Sequence, residues 1–269
     1  MVRNKNGMKK NQELINVWEN TKSIFSNNLF KKMGYTLDPK TERYDSGDIM
    51  SYESPQSKIE VSNVDSVSSL LDEDQYAGKV CVLNMASAKH AGGGVRNGAK
   101  SQEEDLFRCS NLFLTLDENE YPIEEDEAFY SKDVMFIKDS DYNVLKAPVI
   151  CDVVTVPAFN LNKKSKYDKV AEKWIDQPEE KPPHYEETMM DKIRLMLTLA
   201  IDNHCDVIIL GAWGCGVFKN NPRDVAELFK KALVDENYGI KFERIVFAVI
   251  DDRNSVGNNY NVFREVLNN

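Results

Sequence analysis

The chain has 269 residues, of which 42% are hydrophobic, enough for one sizeable core or two small ones and too many for wholesale disorder. Its formal net charge of −10 argues against bulk electrostatic binding of nucleic acid or anionic membrane, although a single cleft can still be positive. Cys81, Cys109, Cys151, Cys205 and Cys215 are odd in number and never spaced CxxC, and the histidines are only His90, His184 and His204, so reduced thiols are expected rather than a disulfide frame or a metal centre.

The N-terminus, MVRNKNGMKKNQELINVWEN, is basic and then amphipathic, without the apolar core of a signal peptide. No stretch approaches the roughly 18 apolar residues of a membrane span, and a cytoplasmic location is expected. Leu14, Val17, Trp18, Ile24 and Phe25 recur near the helical period and predict a helix over 10–33. The polar segment Leu37–Gln56 reads as a connector, and Ile59–Val64 as a strand with one wet face.

Four β-branched runs then predict strands covered on both faces: Lys79–Met85, Asp152–Val156, Asp206–Leu210 and Arg244–Ile250. Ile193, Met196, Leu197, Ala200 and Ile201 form a helical stripe before the third run. Val225, Leu228, Phe229, Ala232 and Leu233 form another after it, with Asn221 as N-cap and Pro222 at the first helical position. Residues 117–148 read as an acidic loop and a hairpin beside the main sheet, and 162–184 as a charged surface insertion with a helical turn or two. Strands alternating with helices imply a mostly parallel sheet between helical layers.

In such sheets ligands bind beyond the carboxyl ends of the strands. Two glycine-bearing loops fall there: one after Asn84-Met85 contains Gly92, Gly93 and Gly94, and one after Leu210 reads GAWGCGVF, from Gly211 to Phe218. Glycine-rich backbone and a following helix start suit an anion held by amides, and a diphosphate is the preferred ligand feature; plain tight turns are the competing reading. Ser101-Gln102-Glu103-Glu104 fits an S-x-x-E capping box, in which Glu104 would merely satisfy its own helix. The alternative makes one carboxyl a general acid for glycosidic cleavage while its neighbour holds a sugar hydroxyl. Trp213 suits stacking or packing equally. Cys215 has no histidine placed as a base, which argues against a nucleophile.

Gly92-Gly93-Gly94, a seven-residue spacer and Gln102-Glu103-Glu104, together with VLNMASAKHAGGG, VVTVPAFN, LGAWGCGVFKNNPRDVAELF and IVFAVIDD, resemble the bacterial-type (microbial) poly(ADP-ribose) glycohydrolases, a divergent macrodomain family, over roughly residues 10–266. The resemblance implies a three-layer α/β/α macrodomain with a mostly parallel central sheet, spanning residues 41–269, and an N-terminal helical extension over 1–40. It also implies exo-acting hydrolysis of ribose–ribose bonds, releasing ADP-ribose, with no metal or cofactor. Glu104 would be the acid/base, Glu103 would orient the scissile ribose and Gln102 would support the site. Gly92, Gly93 and Gly94 would line the distal ribose and diphosphate, and Asn84 would bind the distal ribose hydroxyls. Gly214, Cys215, Gly216 and Val217 would offer amides to the diphosphate, and Phe218 would pack on the ligand. The implied partners are ADP-ribose, its polymer and ADP-ribosylated proteins, with neither membrane nor bulk nucleic acid. Removal of ADP-ribose from a protein or nucleic-acid acceptor, and non-catalytic reading of ADP-ribose, stay open as alternatives.

Overall fold

The computed structural model describes residues 5–27, 29–35, 40–45, 58–73, 78–162, 166–168, 173–175, 181–251 and 258–268. In chain order the elements are α1 (Lys5–Ser26), α2 (Leu29–Lys32), β1 (Thr41–Asp45), β2 (Lys58–Ser62), α3 (Ser66–Glu73), β3 (Val80–Met85), α4 (Gln102–Cys109), β4 (Glu127–Lys138), β5 (Val144–Val156), β6 (Lys166–Asp168), β7 (Lys173–Ile175), α5 (Tyr185–Asp202), β8 (Val207–Gly211), α6 (Pro222–Lys230), β9 (Arg244–Ala248) and α7 (Asn259–Leu267). Seven strands form one sheet in the order β1-β4-β5-β3-β8-β9-β2. The run from β5 to β2 is parallel, and β1 and β4 add an antiparallel flank.

The β-branched runs lie in the middle of this sheet because both of their faces find cover. Along β3, Cys81 and Leu83 enter one apolar cluster while Val80 and Val82 enter another; Ile208 and Leu210 of β8 part from Val207 and Ile209 in the same way. The first cluster is closed by α5, α6 and α7, the second by α1, α3 and α4. Asn221 caps α6 as expected, its side chain accepting from the N–H groups of Arg223 and Asp224, with Pro222 following.

Three local expectations need correction. The connector expected over Leu37–Gln56 contains β1, a wet edge strand paired antiparallel with β4, while residues 36–39 and 46–57 lie outside the described residues. The hairpin is not beside the main sheet but within it: β4 and β5 are long, and the second strand runs on into Asp152–Val156. In the insertion, Lys166–Asp168 and Lys173–Ile175 pair as a small antiparallel hairpin rather than a helical turn, the residues around them lying outside the described set.

Buried polar side chains fasten α1 to the sheet. Arg108, fully buried on α4, donates from Nε to the Leu14 carbonyl at 3.3 Å and from a terminal nitrogen to Ala99 O, and pairs with Asp105. Lys138 Nζ, from β4, donates to Thr21 Oγ1 at 2.8 Å and to Val17 O at 3.2 Å. Burial holds this lysine below its ordinary pKa. Removing a buried cation's partners costs several kcal/mol, so these contacts fix where α1 sits.

Candidate active site

β3, β8 and β9 end together at Met85, Gly211 and Ala248, and a cavity of about 880 Å3 opens beyond them. It is lined by Val249, Ile250 and Asn259, by Trp213, Gly214 and Phe218 of the second glycine loop, by Gly94 and Glu104, and by Lys10, Asn11 and Lys100.

The N–H groups of the first glycine loop point at the paired carboxylates. Gly92 N–H donates to Glu103 Oε1 at 3.2 Å, Ser87 N–H to Glu103 Oε2 at 2.8 Å and Gly94 N–H to Glu104 Oε1 at 2.9 Å. Gly93 N–H closes a turn onto His90 O. Gly93 has φ +54, and a Cβ there would lie 2.7 Å from Glu104 Oε1 and 3.0 Å from Glu103 Oε2. A side chain is therefore excluded both by backbone conformation and by the carboxylates.

The capping box is not formed. Ser101 begins α4 without a side-chain hydrogen bond, and Glu104 turns to the loop instead of back to the Ser101 amide. Glu104 is 6% exposed, and its Oε2 has no hydrogen-bond partner. Burial pushes the Glu103 carboxyl up to about 8, against the opposing pull of the Ser87 N–H and with added repulsion from Glu104. Near neutrality Glu103 thus retains its proton.

Gln102 supports this arrangement from the helix start. Its Oε1 accepts from Met85 N–H at 2.9 Å, and its Nε2 donates to Leu83 O at 2.6 Å and Ser66 Oγ at 3.2 Å, which ties α4 to the end of β3 and to α3. Asn84 is fully buried beside Glu103, donating to Glu103 Oε1 at 3.5 Å and to Thr155 Oγ1 at 3.3 Å, while its Oδ1 lacks a partner. Asn84 Oδ1 and Glu104 Oε2 are thus buried beside the glycine loop without a protein hydrogen-bond partner.

In the second loop Gly214, Gly216, Val217 and Phe218 line the cavity. Cys215 departs from expectation: its thiol is fully buried and its N–H is committed to Ala212 O at 3.0 Å, so its amide is not turned to a ligand. Trp213 is a packing residue, fully buried, edge-on to Phe229 and donating from Nε1 to Val156 O at 2.9 Å. His90 is exposed and pairs with Glu118. Asn220, which falls within the LGAWGCGVFKNNPRDVAELF segment but has no role implied there, organises the loop: its Nδ2 donates to Phe159 O and Gly214 O, and its Oδ1 accepts from Tyr185 OH at 2.6 Å. Sequence reasoning also passed over Lys10, Asn11, Lys100 and Asn259, polar residues that carry no local pattern.

A mostly parallel sheet with a two-loop cavity at its strand ends and a loop-held glutamate pair defines a macrodomain-like glycosidase. A family description, microbial-type PARG, catalytic domain, matches residues 4–139, from the start of α1 to just past β4. The chain belongs to that family of poly(ADP-ribose) glycohydrolases, and its activity is that of a poly(ADP-ribose) glycohydrolase. Among solved structures it is similar to the poly(ADP-ribose) glycohydrolase of Thermomonospora curvata, with 28% identity over 84% of this chain and 85% of that one and a TM-score of 0.70. The same enzyme bound to the inhibitor ADP-HPD matches with 27% identity over 84% of each chain and a TM-score of 0.68. The Deinococcus radiodurans enzyme in complex with ADP-ribose matches with 32% identity over 79% of this chain and 84% of that one, at a TM-score of 0.66. A search of curated proteins found no match. Among the described residues no helix is long and apolar enough to cross a membrane.

Proposed function

We propose that the cavity takes the terminal ADP-ribose unit of the polymer and that Glu104 cleaves its ribose–ribose bond from the free end. One observation carries this reading: Glu104 Oε1 is fixed by the Gly94 amide while Oε2, buried at the cavity wall, has no protein partner. A glutamate that only capped its helix would have turned to its own backbone.

The apolar walls at Val249 and Ile250 suit the adenine, and the amides of the 214–217 loop other than that of Cys215 suit the diphosphate. The distal ribose then meets Asn84 and Glu103. Protonated Glu103 donates to a ribose hydroxyl, and Asn84 Oδ1 accepts from one. Glu104 delivers a proton from Oε2 to the leaving ribose oxygen as positive charge grows at the anomeric carbon. It then takes a proton from the attacking water, which regenerates the acid and releases ADP-ribose.

The test is Glu104→Gln, which keeps the Gly94 hydrogen bond and removes the acid. ADP-ribose release from polymer should fall by about three orders of magnitude or more, with calorimetric ADP-ribose affinity retained. Turnover at the wild-type rate would remove Glu104 from this role. A parallel panel of mono-ADP-ribosylated serine, acidic residues and DNA reports whether acceptors other than the polymer are cleaved.

A further inference from the structure

Beyond Glu104 the cavity does not close but continues to a rim carrying two cations from distant parts of the chain. Lys10 lies on α1 and Lys100 in the turn that precedes α4; both are exposed and both line the cavity. Among the described residues neither takes part in an ion pair. Lys100 lies in the field of Asp105, whose carboxylate is already held by Arg108 and the Tyr142 hydroxyl. The two lysines share the cavity lining with Asp65, Glu104 and Asp105, but Asp65 is occupied by the N–H groups of Val67 and Ser68, which leaves Lys10 and Lys100 as the lining cations among the described residues that an anionic ligand can meet.

The backbone beneath them is held in place. Gly98, with φ +70, sits so close to α1 that a Cβ there would fall 2.3 Å from the Asn11 carbonyl oxygen. The turn carrying Gly98 folds back through Ala99 N–H onto Gly94 O, and Gly94 holds Glu104. Lys10 is adjacent to Asn11, and α1 is itself pinned by Arg108 and Lys138. On this face of the sheet α3 packs on β8 and β9, α4 on β3 and β4, and α1 beyond them on α4 and the 95–97 turn. The lysine rim is therefore the end of the cavity farthest from Val249, Ile250 and β9.

With the terminal unit running from the β9 end to the scissile bond at Glu104, what lies past Glu104 is the unit being left behind. Its nearest charges are those of its own diphosphate. We infer that Lys10 and Lys100 form a subsite for the diphosphate of the penultimate ADP-ribose unit, so that the enzyme grips the departing chain as well as the unit it releases. The inference rests on the scissile bond lying at Glu104.

The test compares wild type with Lys10→Glu/Lys100→Glu, and with the milder Lys10→Ala/Lys100→Ala in case charge reversal disturbs α1. KM for polymer should rise about tenfold in the charge-reversal variant with kcat little changed, and the salt dependence of kcat/KM should flatten, as loss of phosphate contacts requires. Calorimetric affinity for free ADP-ribose, which lacks the second diphosphate, should stay at the wild-type value. An unchanged polymer KM and salt slope would overturn the subsite. So would an equal loss of affinity for ADP-ribose, which would assign the lysines to the terminal unit. Wild-type turnover of polymer tests the activity itself, whereas the variant-to-wild-type ratio for polymer against ADP-ribose tests the subsite alone.

Discussion

Gly93→Ala puts the loop–carboxylate coupling under direct strain. The residue has φ +54, where an alanine pays roughly 1–2 kcal/mol. Its methyl would stand 2.7 Å from Glu104 Oε1 and 3.0 Å from Glu103 Oε2, inside ordinary contact distance, so Glu104 has to move by several tenths of an ångström. Displacements of about 0.5 Å already degrade a catalytic constellation. The shift also breaks or bends the 2.9 Å bond from Gly94 N–H, a contact that becomes charge-assisted as Glu104 gives up its proton and is then worth about 1.5–3 kcal/mol. If most of that is lost from the transition state, kcat falls by about 10- to 100-fold, at about 1.4 kcal/mol per decade. Backbone strain alone should lower Tm by only about 2–8 °C, so the variant should remain folded at assay temperature. The measurements are initial rates of ADP-ribose release, ADP-ribose calorimetry and a thermal melt. A melt lowered as expected, with kcat within about threefold of wild type, would refute the claim that this loop positions the acid.

Glu103 gives a pH test. Its carboxyl, at about 8 in the folded protein, exceeds the ordinary value near 4.3, so between those limits the native state keeps a proton that the unfolded chain has released. The stabilisation is complete below the lower value and is lost as pH rises through the upper one. Glu103→Gln carries no such proton, and its Tm relative to wild type should climb from pH 5 to about pH 8.5; parallel curves would rule the burial argument out. Cys215→Ala should turn over polymer within about twofold of wild type, because burial pushes the thiol up, out of its nucleophilic form; a rate collapse in a stable variant would reopen a covalent mechanism.

The parts of the fold legible in sequence were those with one dominant physical signal. Continuous β-branched runs became β3, β8 and β9 because burial on both faces leaves no room for alternation, and the α5 and α6 stripes became helices, α6 buried along one side and α5 nearly all round in its second half. β1 was hidden because TERYD is an edge strand with mostly wet side chains, so nothing in its polarity marks it. The length of β4 was masked at its start, where the polar run Ser131-Lys132-Asp133, an irregularity in the ladder with β5, breaks the apolar pattern and reads as the end of a loop. The pair Glu103-Glu104 was visible, but its orientation was not. S-x-x-E spacing fits a capping box and a catalytic pair equally, and the acceptor's choice between the Ser101 and Gly94 amides is made only by where the glycine loop folds. Asn259 and the cavity-facing lysines were illegible for the opposite reason, since a lone polar residue at a helix start, on a helix or in a turn is the ordinary state.

α4 shows why the site and the N-terminal helix behave as one unit. Glu104 and Arg108 are four residues apart, hence neighbours one turn apart on the helix. Glu104 engages the glycine loop, and Arg108 engages the Leu14 carbonyl of α1 and the Ala99 carbonyl of the intervening turn. Each charged group costs desolvation free energy, and hydrophobic side chains of the same volume would stabilise the fold at least as well. What the polar arrangement supplies is fixed geometry: the glutamate, the turn with Lys100 and the α1 wall with Lys10 cannot shift independently. On the proposed reading, the distance from the acid to the grip on the departing chain is therefore set through one short helix. That distance is the quantity that proximity catalysis requires to be constant.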